Sequence, residues 1–387
     1  MSKRSVRTIL AVAALLLAAG WGRAAPAAEP IKIGAFLSVT GPASFLGDPE
    51  KKTLDLFIAK TNAAGGVLGR PLKLVSYDSG GDPKQAATFV RRLIEEDKVD
   101  FLIGGSTTGE TMAVIPLVER AQIPFISLGG ASVIIEPVKK WVFKTPHTDR
   151  LAIEKVYADM KKNGLSKVGF IGGDGGFDKS CIENGEDKKL LAEYGVTIVG
   201  KEIYSKDDKD MTPQLTKLKA LPGIQAVMFC GFGAASVIVT KNFHQLGIKA
   251  VLYHNHGSAS KQFIAGAGDA AEGVKLPAAA LLVAAQLPDG DPQKAPGLAY
   301  TKAYMDKYHE DISTFGGHAY DALMLLEGAI KRANSTDRAK VRAAIESTRN
   351  FIGVDGIFNM SATDHGGLDA ASFKMVEVRQ GNWKYLY

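Results

Sequence analysis

The stretch from Phe101 to Val118 reads FLIGGSTTGETMAVIPLV: an apolar strand, a double glycine, three adjacent hydroxyls and a helix. Gly104 and Gly105 permit a sharp turn at the strand's carboxyl end, so the amides and hydroxyls that open the helix converge on one point. Ser106, Thr107 and Thr108 then offer a seat for a small carboxylate. The same three side chains could instead cap the helix and bind nothing.

Other constellations point to less. His254-Asn255-His256 sets two imidazoles at i and i+2, which on a strand point the same way and could begin a metal site. No third and fourth ligand can be named, because His244, His309, His318 and His365 are scattered and no acidic cluster accompanies them. No metal is expected, and cleft lining is the better reading of the pair. Gly172-Gly173-Asp174-Gly175-Gly176 lies between a strand and a helix, as a dinucleotide loop does, but it lacks the GxGxxG spacing and would aim Asp174 at a phosphate. Neither GxSxG nor a Ser, His and acid set is present, so neither a catalytic residue nor a cofactor is expected.

These loops need elements to hold them. Short apolar runs alternate with helical patterns along the chain, the signature of parallel sheets covered by helices. A first series has strands at 31–36, 72–77, 100–105 and 124–129, with helices near 50–63, 83–96 and 109–121. A second follows a helix near 149–163, with strands at 167–172, 196–203, 226–231 and 250–253 and helices near 178–193, 211–220 and 234–246. Helices at about 297–309, 316–333 and 337–348 and the strands FIGVDG and FKMVEV close the chain. Two open α/β sheets in one chain imply lobes facing each other across a cleft, with ligands beyond the strands' carboxyl ends.

The chain's beginning and bulk narrow the class. Lys3, Arg4 and Arg7, an apolar run from Ile9 to Ala19, and Ala24, Ala25, Ala27 and Ala28 are the three parts of a secretory signal. Residues 1–28 are therefore expected to be removed, with the mature chain starting near Glu29. The apolar run is about half the ~20 residues a spanning helix needs, no comparable run follows, and no cysteine lies near the cleavage region. That pattern fits a soluble periplasmic protein with no membrane insertion. Lys3, Arg4, Arg7 and Arg23 leave with the signal and reduce the formal +6 to +2, which argues against nucleic acid as a partner. Some 360 residues exceed the usual size of one core and favour two domains. The two cysteines, Cys181 and Cys230, could pair in an oxidising compartment, although sequence separation fixes no distance.

Taken together, IKIGAFLSVTGPASFLGD, NAAGGVLGRPLKLVSYDSGGDPKQA, the IGG-STTG turn and GDAAEG at 268–273 resemble one family across essentially the whole mature chain. It is the periplasmic binding proteins of branched-chain amino-acid ABC transporters, the leucine/isoleucine/valine-binding type, with an aromatic-acid-binding branch. The resemblance implies a type I two-lobed α/β fold with three hinge crossovers, a monomer that traps one ligand by closure, and a membrane permease as partner. It divides the chain into lobe 1 over 29–146 and 276–354 and lobe 2 over 147–275, with a hinge and the last lobe 2 strands over 355–387. Lys144–His147, Val274–Pro277 and Gly353–Gly356 are the expected crossovers.

The resemblance also places a site. Thr108, with Thr107 beside it and the amides of Gly130 and Ala131, matches the family's carboxylate seat. Ala131 stands where a hydroxyl is usual, and Ser132 is adjacent as a substitute. Phe45 and Leu46 fall on the apolar wall. In lobe 2 the family holds an ammonium with an acid and two tyrosines, whereas this chain has His256, Phe232 and Phe177 at those positions. A buried ammonium without a charge partner costs several kcal/mol, and phenylalanine offers it no acceptor. The expected ligand is therefore a small carboxylate without an α-amino group, most simply an aromatic acid of the benzoate or cinnamate kind. Phe45, Phe177 and Phe232 would hold its body, and His256 or Asn255 its distal polar group. Two alternatives stay open: a branched-chain amino acid, with Asp174 or another acid taking the ammonium, and a ligand-sensing regulator of the same fold.

Overall fold

A computed structural model describes residues 29–205 and 207–387, so the predicted signal at 1–28 lies outside the described residues. The first sheet is built from β1 (Ile31–Leu37), β2 (Leu72–Asp78), β3 (Phe101–Gly104), β4 (Phe125–Ser127) and β5 (Val142–Lys144) in the order β2-β1-β3-β4-β5, all parallel. Its connections are α1 (Ser44–Ala63), α2 (Pro83–Glu95) and α3 (Thr108–Ala121). β1 and β3 are apolar almost throughout because both sheet faces are covered. Ile33, Ala35, Phe101 and Ile103 pack to one side, and Phe36 and Leu102 to the other.

The second sheet runs β14-β13-β10-β9-β8-β6-β7, where β13 is Lys374–Arg379 and β14 is Asn382–Tyr385. Its parallel part is β6 (Lys167–Gly172), β7 (Thr197–Ile203), β8 (Ala226–Cys230), β9 (Val251–His254) and β10 (Lys275–Ala278). The helices between are α4 (Asp149–Lys162), α5 (Gly176–Gly185), α6 (Lys188–Tyr194), α7 (Thr212–Lys219), α8 (Ala234–Gln245) and α9 (Lys261–Ala267). The helix expected over 178–193 is two, because Asp187 breaks it and accepts hydrogen bonds from Lys189 N and Leu190 N to start α6.

The chain then returns to the first sheet with α10 (Lys294–Tyr308), α11 (Thr314–Ala333) and α12 (Arg338–Glu346). α11 buries Ala319, Ala322, Leu323, Leu325 and Leu326 against the first sheet. FIGVDGIF forms the small hairpin β11 (Phe351–Ile352) and β12 (Ile357–Phe358), and the antiparallel β13 and β14 complete the second sheet.

Two crossovers fall later than expected. β10 pairs with β13 over its whole length and with β9 at Lys275, so the chain leaves the second sheet after Ala278 and not at Leu276. Val354, Phe358 and Met360 lie in the core of the first lobe, and the His365 carbonyl accepts from Lys144 N. The segment from Asp355 to about Leu368 thus stays with the first lobe, and the third crossing runs through Asp369–Phe373. Cys181 and Cys230 form a disulfide that ties α5 to the end of β8, with Cα atoms 5.7 Å apart.

Candidate functional site

In an open α/β sheet, the loops leaving two neighbouring strands diverge where the strand order reverses, and a crevice opens between them. In the first sheet that point lies between β1 and β3, whose loops carry Leu46 and Ser106–Thr108. In the second it lies between β6 and β8, whose loops carry Phe177 and Phe232. The two crevices face each other across one cavity, lined from the first lobe by Leu46, Ser106, Thr107, Thr108, Leu128 and Gly130. Phe177, Phe232, His256 and Gly257 line it from the second lobe, and Pro146, Phe315 and His318 from the crossover and α11.

The three adjacent hydroxyls have different duties. Thr107 is the N-cap of α3: its Oγ1 accepts from Glu110 N at 3.2 Å and donates to Glu110 Oε2 at 2.8 Å, while its own amide bonds Glu110 Oε2 at 2.9 Å. Ser106 Oγ donates to Glu50 Oε2 at 2.5 Å and accepts from Ser38 N at 3.0 Å. Burial pushes the Glu50 carboxyl well above the usual range. Both hydroxyl protons are thus committed to buried acids, and the capping reading is the right one for Thr107. Thr108 Oγ1 is different: it is buried and has no hydrogen-bond partner. The turn beneath needs its glycines, since Gly105 has φ +67° and a Cβ there would lie 2.4 Å from Thr111 Oγ1.

The loop after β4 supplies Gly130, on the cavity wall. Gly130 and Ala131 donate no main-chain amide hydrogen bond among the described residues. Ala131 is fully buried behind the wall. Ser132 is turned away from the cavity: its amide donates to Asp149 Oδ1 at 2.9 Å, and its Oγ accepts from Asn184 Nδ2 at 3.0 Å. It does not stand in for the missing hydroxyl at Ala131.

Across the cleft, Phe177 lies edge-on to His256 with centroids 5.4 Å apart and tilted against Phe232 at 5.9 Å. Phe45 is not on the cavity wall. It packs behind it, 6.2 Å from Phe232 and 5.5 Å from Phe315, and so joins the lobes at the mouth. Phe315 takes the wall position that the resemblance gives to Phe45. Asn255 also lies off the cavity, its Oδ1 accepting from Gly257 N at 2.8 Å. His254 and His256 do not face each other as metal ligands. His254 is spent on Thr240 Oγ1 and Ser258 Oγ, at 3.1 and 2.9 Å, whereas both His256 nitrogens are buried and unpartnered. Asp174 is exposed and away from the cavity.

His256 reaches further than expected. A Cβ on Gly130 would lie 3.0 Å from its Nε2 and 2.8 Å from Phe177 Cε2, so the imidazole from the second lobe stands against the loop of the first. Its place is beside the proposed carboxylate seat and not at the far end of a ligand. Burial first, then the nearby Lys144 and His318, hold it well below the usual histidine range, so it is neutral with one donor and one acceptor.

Sequence reasoning missed the basic groups at the back of the cleft. Lys144, at the end of β5, is fully buried, with Nζ 3.2 Å from the Gly130 carbonyl and 3.1 Å from that of His147. Burial lowers it to about 7. His147 stacks on Phe373 at 3.9 Å with both ring nitrogens unpartnered. His318 Nδ1 meets Asp355 Oδ2 at 2.5 Å. Burial raises the acid well above its usual range and lowers the imidazole to about 3, so the pair is neutral overall and His318 Nε2 carries its hydrogen at the cavity. The signal for His318 was a polar ring on the apolar face of α11.

With this geometry in place, comparison with known proteins is informative. A family profile described as "Periplasmic binding protein" matches residues 30–382. A "Leu/Ile/Val-binding protein homolog 3" of Brucella melitensis is 26% identical over 375 residues, covering 96% of this chain and 97% of its own. The "Leucine-, isoleucine-, valine-, threonine-, and alanine-binding protein" of Pseudomonas aeruginosa is 27% identical, covering 89% and 90%. An extracellular ligand-binding receptor from Rhodopseudomonas palustris superimposes with TM-score 0.86 and 31% identity over 93% of this chain and 100% of its own. The chain belongs to the periplasmic binding proteins, of the leucine/isoleucine/valine-binding type used with ABC transporters.

Proposed function

We propose that this protein is the soluble ligand-capturing component of an ABC importer and that it closes over a small carboxylate without an α-amino group, most simply an aromatic acid. One observation carries the reading. Among the described residues, the cavity wall holds hydroxyls, amides, two histidines and three phenylalanines but no aspartate, glutamate or tyrosine. An ammonium placed there would lose its water and gain no anion, at a cost of several kcal/mol. A carboxylate would meet the free Thr108 hydroxyl, the Gly130 and Ala131 amides and the imidazoles of His256 and His318. Phe177, Phe232 and Phe315 supply faces and edges for a ring. No catalytic residue is assigned, and affinity comes from bringing the lobes together.

The names of the relatives favour a second reading, a branched-chain amino acid. Thermal unfolding with a panel of benzoates, cinnamates, dicarboxylates and branched-chain amino acids separates the two. Stabilisation by an aromatic acid is the expected result. Stabilisation by leucine alone would overturn the ligand class and leave the transport role standing.

A further inference from the structure

Lys144 makes no direct contact with the cavity, yet it holds the loop that does. Its ammonium sits behind Gly130, whose carbonyl accepts both from Nζ at 3.2 Å and from the Asp149 amide at 3.1 Å. The same carbonyl belongs to the peptide whose N–H is that of Ala131, an amide with no main-chain partner among the described residues. Drawing electron density toward the oxygen makes that N–H a stronger donor. Lys144 Nζ also bonds the His147 carbonyl at 3.1 Å, so one cation joins the wall loop to the first crossover.

We infer that Lys144 is a positioning residue for ligand recognition, which polarises the Gly130–Ala131 peptide from behind and supplies the positive charge that a bound carboxylate answers. This rests on the carboxylate reading of the cleft but is indifferent to whether the acid is aromatic or an amino acid. Anions do face the lysine: Asp149 on α4, Glu136 after the loop and Asp364 on the returning segment each favour its charged form. None is within ion-pair distance of Nζ among the described residues. Asp149 is itself used by Ser132 N and Asn184 Nδ2. His147, His256 and His318 face it from the crossover, the second lobe and α11, all held neutral by burial, while His365 on the returning segment offers Lys144 N its carbonyl and turns its ring to Val142 O and Glu346. The cation is thus undercompensated in the protein alone, and an arriving carboxylate completes it.

The consequence is proton uptake. An anion seated near Gly130 favours charged Lys144, so binding weakens as pH rises past the lysine's own titration near 7. The test is calorimetric titration with benzoate, cinnamate, 3-phenylpropanoate, succinate and leucine at pH 6.5 and 9, on the wild type and on Lys144→Met and Lys144→Gln. For whichever acid binds, wild-type affinity is expected to fall about tenfold or more between the two pH values. Either variant should bind about tenfold more weakly at pH 6.5 and show a flat profile. A structural lysine would not give the variants a flat profile. If an acid binds and its affinity is independent of pH in the wild type, or either folded variant keeps the wild-type affinity and profile, the inference is overturned while the proposed function stands. If none of the five binds, the carboxylate reading falls and takes the inference with it.

Discussion

Replacing Thr108 by valine separates a binding hydroxyl from a structural one, because the two predict opposite effects on the ligand-free protein. Oγ1 of Thr108 is buried, lines the cavity and bonds nothing. A buried hydroxyl without a partner already carries a desolvation cost, so exchanging it for an isosteric methyl should leave the ligand-free protein as stable as before or slightly more so. A hydrogen bond to a charged carboxylate is worth about 1.5–3 kcal/mol, and losing it should weaken the ligand roughly 10- to 150-fold. Thr107→Val is the internal control. Its hydroxyl caps α3 and its proton goes to Glu110, so that change should cost about 1 kcal/mol of stability and alter affinity far less. Chemical unfolding of the ligand-free variants, paired with calorimetric titration of the acid identified in the thermal panel, gives both numbers. If Thr108→Val destabilises the ligand-free protein as Thr107→Val does and leaves affinity untouched, Thr108 is a capping residue and the seat is elsewhere.

Three further outcomes are expected. Gly130→Ala places a Cβ 2.8 Å from Phe177 Cε2 and 3.0 Å from His256 Nε2 at a position without positive φ, so the backbone tolerates it but closure does not. Affinity should fall about tenfold or more with ligand-free stability nearly unchanged, and small-angle scattering with ligand should stay at the open dimensions. Reducing the Cys181–Cys230 disulfide frees a 49-residue loop, which by loop-closure entropy should cost up to about 4 kcal/mol, seen as a lower unfolding midpoint. Because the bridge ties the loop of Phe177 to that of Phe232, ligand affinity should drop with it. The last concerns pH: Lys144 titrates near 7 when folded and near 10.5 when unfolded, so between these values the unfolded chain binds more protons and stability rises with pH. Relative to Lys144→Met, the wild type should gain up to about 1.4 kcal/mol per pH unit across that window, measured by urea unfolding at pH 7, 8 and 9.

The central parallel strands were legible because they are buried on both faces and read as short apolar runs, as FLIG and AVMFC do, whereas the edge strands LKLVSYD and TIVGKEI are partly exposed and mix polar residues in. The family resemblance, read onto the strand ends, then pointed to Leu46, Thr108, Gly130, Phe177, Phe232 and His256, which line the cavity. What stayed hidden depends on contacts that periodicity does not encode. No spacing rule says that Ser106 and Thr107 spend their protons on Glu50 and Glu110 while Thr108 does not. Phe315 and His318 come from a helix distant in sequence and meet the site only after the chain has crossed between lobes, and Lys144 reaches the Gly130 carbonyl from the end of β5 by a contact that no periodicity encodes. The third crossing lies later than the sequence suggests for a related reason. FIGVDG alternates as a strand does, but it closes on itself as a hairpin against α11, and Val354 N and Asp355 N bond Asp321.

The central claim is that this cleft welcomes an anion and has no partner for an ammonium. It is tested most directly by titrating the protein with 3-phenylpropanoate and with phenylalanine, which differ only by the α-ammonium group. The account requires the amine-free acid to bind at least about tenfold more tightly at pH 7. Tighter binding of phenylalanine would contradict it, since the energy would then have to come from an anion that is not among the described residues of the cavity wall.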